Sequence, residues 1–389
     1  MFFSFVLAFL LGVFSGIITG LTPGLHVNLV TLIIISFLKF HPLIIAVYIF
    51  SLGITHTFLD AIPAIFLGAP DEDMALLPGH ELFIKGAGYE AVKLTVIGSF
   101  FTMLLGVLLM PFFIIFLSAF YSIIEPFIVF FIILIVLFLF LKNKNFFSFL
   151  TFFLSGIFGL IVLNSSLDQK LLPLLTGFFA TSTLISSLIF PPKIVKQQIT
   201  NMIRINKKEL FTTILGSSIA GSITSIFPGV SPAQGTALVQ PFFSKNKFSY
   251  LVFIGGINTI DFFISLTTWF IIDKARNGAL IGIKKVLIFI NLEQVIALAC
   301  IGILAGCVAA ILALKISKLI TKLINRVNFN KISLFVLLFL IILTFYFSGM
   351  IGFLILITST CIGLIPILTK TPRSFSMGCL LLPVIVYLL

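Results

Sequence analysis

Thr22-Pro23-Gly24-Leu25-His26-Val27-Asn28 interrupts an apolar run over residues 2–38, and Phe227-Pro228-Gly229-Val230-Ser231-Pro232 interrupts a second over 210–243. Proline removes a backbone donor and glycine admits dihedrals closed to other residues, so each Pro-Gly pair breaks a helix. Within hydrocarbon, broken backbone is tolerated only inside protein or along a cavity. Glycines spaced by four or five residues precede each break, at Gly12, Gly16 and Gly20 and at Gly216 and Gly221. Small residues at that spacing let helices approach closely in lipid.

The surrounding composition fixes the solvent. The 389 residues are 60% hydrophobic and 9% charged, with a mean hydropathy of +1.28. Soluble domains carry about 25% charged residues, so both a soluble globular protein and a disordered chain are excluded. Apolar runs near 20 residues read as spanning helices. They fall at about 42–59, 94–118, 126–141, 146–163, 171–190, 248–270, 286–314, 332–347, 350–368 and 374–389. The expected fold is an all-α integral membrane protein with about 10 spanning helices and two re-entrant Pro-Gly hairpins. The N-terminus has no basic n-region or cleavage site and reads as structure rather than signal peptide. Cys300, Cys307, Cys361 and Cys379 sit in apolar runs without metal-ligand spacing, and read as small buried apolar residues.

The two breaks belong to a repeat. Pro23-Gly24 and Pro228-Gly229 lie 205 residues apart. Gly53-Ile54-Thr55 and Gly256-Ile257-Asn258 lie 203 apart, and Ala75-Leu76-Leu77 and Ala279-Leu280-Ile281 lie 204 apart. The expected division is a first membrane repeat over 1–190, a basic cytoplasmic linker over 191–209 and a second repeat over 210–389. Internal symmetry of this kind marks transporters. Charge then orients the repeats through the positive-inside rule. With both broken segments as hairpins and the N-terminus outside, 18 Lys and Arg fall inside and six outside. With both as single crossings, the best split is 13 against 11. The hairpin arrangement wins, and it inverts one repeat relative to the other. The protein is expected in the cell membrane, multi-pass, with most of its +12 net charge serving as an orientation signal.

The hairpin tips are the strongest site candidates. Half-helix N-termini carry free N–H groups and roughly half a positive charge, which suit an anion. The expected substrate-binding set is Pro23, Gly24, His26, Asn28 and Thr31 from the first tip, with Pro228, Gly229, Ser231 and Gln234 from the second. Asp261 lies mid-span, where a carboxylate costs about 2.5–3.5 kcal/mol and so calls for a function or a partner. Asn258 and Thr259 precede it, and the matching region of the first half holds Thr55, His56 and Asp60. Thr55, His56, Asn258, Thr259 and Asp261 are the coupling-ion candidates. A sodium ion would sit at Asn258 and Asp261; a proton would need only Asp261. Glu293 is a weaker candidate near a helix end. The acidic stretch Asp71-Glu72-Asp73 reads as part of a solvated loop. No P-loop, HExxH or GxSxG sequence occurs, so ATP-driven transport and hydrolase chemistry lack support and no enzyme is expected. No cofactor is expected. The basic clusters lack aromatic stacking motifs, which excludes nucleic acid as a partner.

These residues resemble a known family. Gly16-Ile17-Ile18-Thr19-Gly20-Leu21-Thr22-Pro23-Gly24-Leu25 is similar to the N-terminal signature of the large membrane subunit of tripartite tricarboxylate transporters, the TctA-like permeases. Leu67-Gly68-Ala69-Pro70-Asp71 resembles that family's glycine-rich loop. Phe227-Pro228-Gly229-Val230 and Gly255-Gly256-Ile257-Asn258-Thr259 resemble its second-repeat signature. The resemblance covers roughly residues 10–300, and the chain looks like a short, archaeal branch. His26 at the first tip and the acidic 71–73 stretch depart from the family pattern. The resemblance implies an ion-coupled permease for di- or tricarboxylates, with a small membrane subunit and an extracytoplasmic solute-binding protein as partners. A homodimer is compatible with the sequence. The alternative is a translocase for a lipid-linked phosphate carrier, because Pro228-Gly229-Val230-Ser231 also resembles the tip of polyprenyl-phosphate translocases.

Overall fold

The computed structural model describes residues 2–22, 25, 27–37, 40–67, 77–167, 169–190, 195–200, 204–228, 230–244, 246–324 and 329–389. Among these residues the secondary structure is helical throughout. The first half holds α1 (Phe2–Leu21), α2 (Val27–Phe37), α3 (Pro42–Leu59), α4 (Ala61–Leu67), α5 (Leu77–Ile84), α6 (Gly88–Ile124), α7 (Ile128–Lys142), α8 (Phe146–Leu163), α9 (Leu171–Leu175) and α10 (Ser182–Ile189). The second holds α11 (Lys207–Ile226), α12 (Pro232–Phe243), α13 (Lys247–Ile272), α14 (Gly278–Leu287), α15 (Leu292–Ile324), α16 (Phe329–Leu368) and α17 (Gly378–Leu388). Eight described runs are long and apolar enough to cross a bilayer. The protein is an all-α integral membrane protein.

Most long runs match the expected spans, but Phe2–Leu21 is itself long enough to cross where a hairpin arm was expected, and the expected span 374–389 falls short as an 11-residue helix behind a 3₁₀ turn. Residues 88–142 form one run because α6 passes through Glu125–Phe127, a single 3₁₀ turn, into α7. α16 joins the expected spans 332–347 and 350–368, and bends between them at Gly349, whose φ of 61° other residues rarely adopt. The expected span 286–314 starts later and ends later. Asn291 caps α15, exchanging hydrogen bonds with Gln294 (2.9 and 3.1 Å). At the far end, Lys315, Lys318 and Lys322 share one face while Ser317, Thr321 and Ile324 are buried, so the helix continues as an amphipathic one. The expected 171–190 span contains a π-helical turn over Thr176–Thr181. There Arg373 donates to the carbonyls of Phe178 (3.3 Å) and Phe179 (2.6 Å). Of the cysteines, Cys379 is buried, but Cys300 and Cys361 face outward from α15 and α16 among lipid-compatible side chains.

α3 and α13 form the centre. α1 packs along α3 through its glycines. A Cβ at Gly12, Gly16 or Gly20 would run into Tyr48, Thr55 or Leu59 in turn. α11 packs on α13 in the same way, with Gly221 against Ile260. The central helices then take partners from the opposite half: α13 lies on α6, and α3 lies on α15. On α6 and α13 the contact is backbone to backbone, Gly98 against Val252 and Gly255 against Thr95. Across the centre, the Phe50 ring meets Phe262 and Phe263 edge-on, with centroids 6.1 and 5.9 Å apart.

Polar contacts gather loops at the bundle ends. Glu81 pairs with Lys247, and Asn246 donates to Glu209 at 2.6 Å. The segment entering α11 is strapped to α5 and α6. The Gln197 amide accepts from the Gly88 N–H (3.1 Å) and donates to the Phe83 carbonyl (2.7 Å). Lys93 donates to the Thr200 carbonyl at 2.8 Å, and Arg204 pairs with buried Glu90 at 3.5 Å. Elsewhere Lys274 pairs with Glu125, Ser348 donates to the Gln169 carbonyl (3.2 Å), and Tyr387 donates to Asn164 (2.8 Å).

Candidate functional site

Three helices begin at one point inside the bundle. α2 starts with Val27 and Asn28, α12 starts behind Ser231, and α14 starts behind Asn277. All these residues line a cavity of about 320 Å³, walled further by the end of α3 and the middle of α13. That volume holds about ten waters. The helix starts are locally encoded. Ser231 and Gln234 form a capping box, with the Ser231 N–H donating to Gln234 Oε1 at 2.6 Å. Asn277 Oδ1 accepts from the Ala279 N–H at 3.0 Å. The Asn28 amide lies across Gly278, where a Cβ would collide with it.

Charge enters from three side chains. Asp261 is held by neutral donors: Ser225 (2.8 Å), Thr224 (3.3 Å) and Ser265 (3.5 Å) at Oδ1, and the Asn277 amide (2.9 Å) at Oδ2. Asp60, at the α3–α4 junction, accepts from Asn258 Nδ2 at 3.4 Å. Arg276 reaches Tyr121 Oη with Nη2 (3.5 Å), while its Nε is buried without a hydrogen-bond partner among the described residues. His56 is buried beside them. His56 Nδ1 lies in hydrogen-bond contact with the Thr19 hydroxyl (3.1 Å), which also reaches the Gly16 carbonyl (3.2 Å). Neutral hydroxyls around a carboxylate can donate to it or turn their oxygens to a small cation. Buried helix N-termini with an Arg fork suit an anion.

The sequence candidates divide in three. Asn28, His56, Pro228, Ser231, Asn258 and Asp261 line the cavity together. Thr31, Thr55, Gln234 and Thr259 are buried in helix contacts behind it: Thr31 against Gly282, Thr55 against Gly16, Gln234 in the capping box, and Thr259 donating to Thr57 Oγ1 at 3.2 Å. Pro23, Gly24, His26 and Gly229 lie outside the described residues, as does the acidic 71–73 stretch. Glu293 is exposed at the start of α15. Sequence reasoning passed over Arg276, Asn277 and Thr224, which also face the cavity, as does Thr57 beside His56. One signal was available for Asn277: it stands where a helix cap is wanted, two residues before the Ala279-Leu280-Ile281 match.

A bundle of apolar helices enclosing a charged cavity at broken helix ends defines a multi-pass membrane permease. The chain matches the Tripartite tricarboxylate transporter TctA family over residues 6–378, and it belongs to that family. The family works in tripartite systems with a small membrane subunit and an extracytoplasmic solute-binding protein. Among curated proteins, an uncharacterized protein of Methanocaldococcus jannaschii is 31% identical over 355 residues, covering 88% of each chain. No solved structure matches the chain.

Proposed function

We propose that the protein is a secondary transporter that binds a small di- or tricarboxylate between the two broken-helix tips and couples its movement to sodium ions or protons. One observation carries this reading: the helix starts after both Pro-Gly breaks face the same cavity, which also holds Asp60 and Asp261. Asn28 and Ser231 contact the anion from the two tips, and Pro23, Gly24, His26, Pro228 and Gly229 belong to the same proposed binding set. Thr31 and Gln234 support the helices that carry them. Asp261 takes the coupling ion with Asn258, and Thr55, His56 and Thr259 hold the crossing of α3 and α13 around it.

The halves 1–190 and 210–389 act as inverted repeats joined by the 191–209 linker. The exchange of partners supports this, since α3 with α15 mirrors α13 with α6. Each loop contact described above joins segments that this topology puts on one face, which supports the alternation of the spans, and the Lys and Arg count puts the N-terminus outside. A small membrane subunit and a solute-binding protein complete the system. The test is uptake into proteoliposomes across a carboxylate panel, with sodium and proton gradients imposed separately. Gradient-driven uptake of at least one carboxylate is expected, with Asp261→Asn losing the ion dependence. No gradient-driven flux across the panel refutes the reading.

A further inference from the structure

We infer that Arg276 is the specificity-determining residue of the site, anchoring one carboxylate group of the substrate through its guanidinium fork. This rests on the carboxylate-transport reading above. Among the described cavity residues, Arg276 is the only Lys or Arg, and it faces two carboxylates, Asp60 and Asp261. Its Nε is fully buried yet finds no acceptor among the described residues, and Nη2 makes only a long hydrogen bond to Tyr121. A buried charged donor left without an acceptor is costly unless a ligand supplies one.

The surroundings keep this donor available. Asp261, the acid that would most readily neutralise it, is occupied by Ser225, Thr224, Ser265 and Asn277. Tyr121 is shared with Lys274, which donates to the same oxygen at 3.3 Å. Asn277 does two jobs beside Arg276. It caps α14, fixing the backbone that carries the arginine, and it holds Asp261 away as a partner. A planar guanidinium presents two parallel N–H groups to one carboxylate, which a lysine ammonium cannot do. Anchoring at Arg276 therefore selects a ligand with a carboxylate at one end, and leaves the tips to read the rest.

The test compares wild type with Arg276→Lys, Arg276→Gln and Tyr121→Phe in proteoliposomes, using whichever panel carboxylate the wild type takes up. Each variant is first checked for monodispersity in detergent. Arg276→Lys should raise KM by about tenfold or more and Arg276→Gln further. Tyr121→Phe should stay within about threefold, because it removes only a long hydrogen bond. Substrate protection against heat should fall in the same order. If Arg276→Lys and Arg276→Gln keep the wild-type KM and substrate protection, Arg276 is not the anchor, though the transport reading stands. If wild type transports no carboxylate, the transport reading fails first and the anchor falls with it.

Discussion

The backbone contact of α6 with α13 is a sharp point at which to test the fold. A Cβ built on Gly255 lies 2.7 Å from Thr95 Cα, and one on Gly98 lies 3.0 Å from Val252 Cα. Ordinary contact begins at 3.4 Å, and the Thr95 carbonyl oxygen lies nearer still, so at Gly255 the helices must part by more than about 1 Å. Backbone cannot rotate aside as a side chain can. Overpacking of this kind costs about 1–3 kcal/mol. Both positions press on the same helix pair, so the first alanine opens the gap that the second needs. Gly98→Ala and Gly255→Ala should each destabilise by that amount, and the double variant should cost less than the total by about 0.5 kcal/mol or more. The assay is denaturant unfolding in micelles followed by tryptophan fluorescence. Trp269 is the sole tryptophan and is buried on α13, so it reports on one of the two helices concerned. Single variants that leave stability unchanged would show that the helices do not touch there, and a strictly additive double variant would show that the two contacts open independently.

Three further outcomes are expected. Burial pushes the His80 imidazole below its ordinary value, against its hydrogen bond to the Ile65 carbonyl (2.9 Å). The neutral form is favoured in the fold, so stability is present above 6.5 and falls away as pH drops below it; His80→Phe should flatten that acid loss in melts between pH 7 and 5. Gln197→Ala removes the strap's hydrogen bonds to Gly88 and Phe83, and should cost about 1–3 kcal/mol and speed proteolysis between α10 and α11. The hydrogen bond to Glu125 raises the Lys274 pKa, with burial opposing it. Its contribution is therefore complete below the ordinary lysine value and lost only as pH rises through the raised one. Both partners are well exposed, so Lys274→Met should cost under about 1 kcal/mol at neutral pH, and a larger loss would contradict the exposed geometry.

The spans were legible because hydrocarbon leaves little choice. Residues 146–163 were expected to span, and α8 is Phe146–Leu163. The helix ends at Leu21 and Ile226 and the new starts at Val27 and Pro232 were legible from Pro-Gly chemistry, and so was the glycine face of α1. The end of α15 was not, because three lysines looked like a boundary until their common face was visible. Arg276 was hidden for a related reason. A lone basic residue after a span reads as a topology signal, and only the return of α14 into the bundle turns it inward. Apart from Ser265 one turn on, the partners of Asp261 come from α11 and from the start of α14, 36 and 16 residues away along the chain. No local pattern relates such residues, although the cost of a mid-span acid rightly predicted that partners exist.

The exchange of partners between α3 and α13 has a consequence for biogenesis. Phe50 on α3 closes against Gly302 on α15, which the ribosome reaches 252 residues later. At ordinary elongation rates the interval is roughly 13–50 s. Through that time the central helix of the first half sits in the bilayer with one flank uncovered, waiting for a helix not yet made. A nascent chain stalled before residue 300 thus exposes that flank to membrane chaperones and quality-control proteases, while one stalled after α15 has it covered. The order of synthesis, more than the strength of any contact, decides when this permease stops being vulnerable.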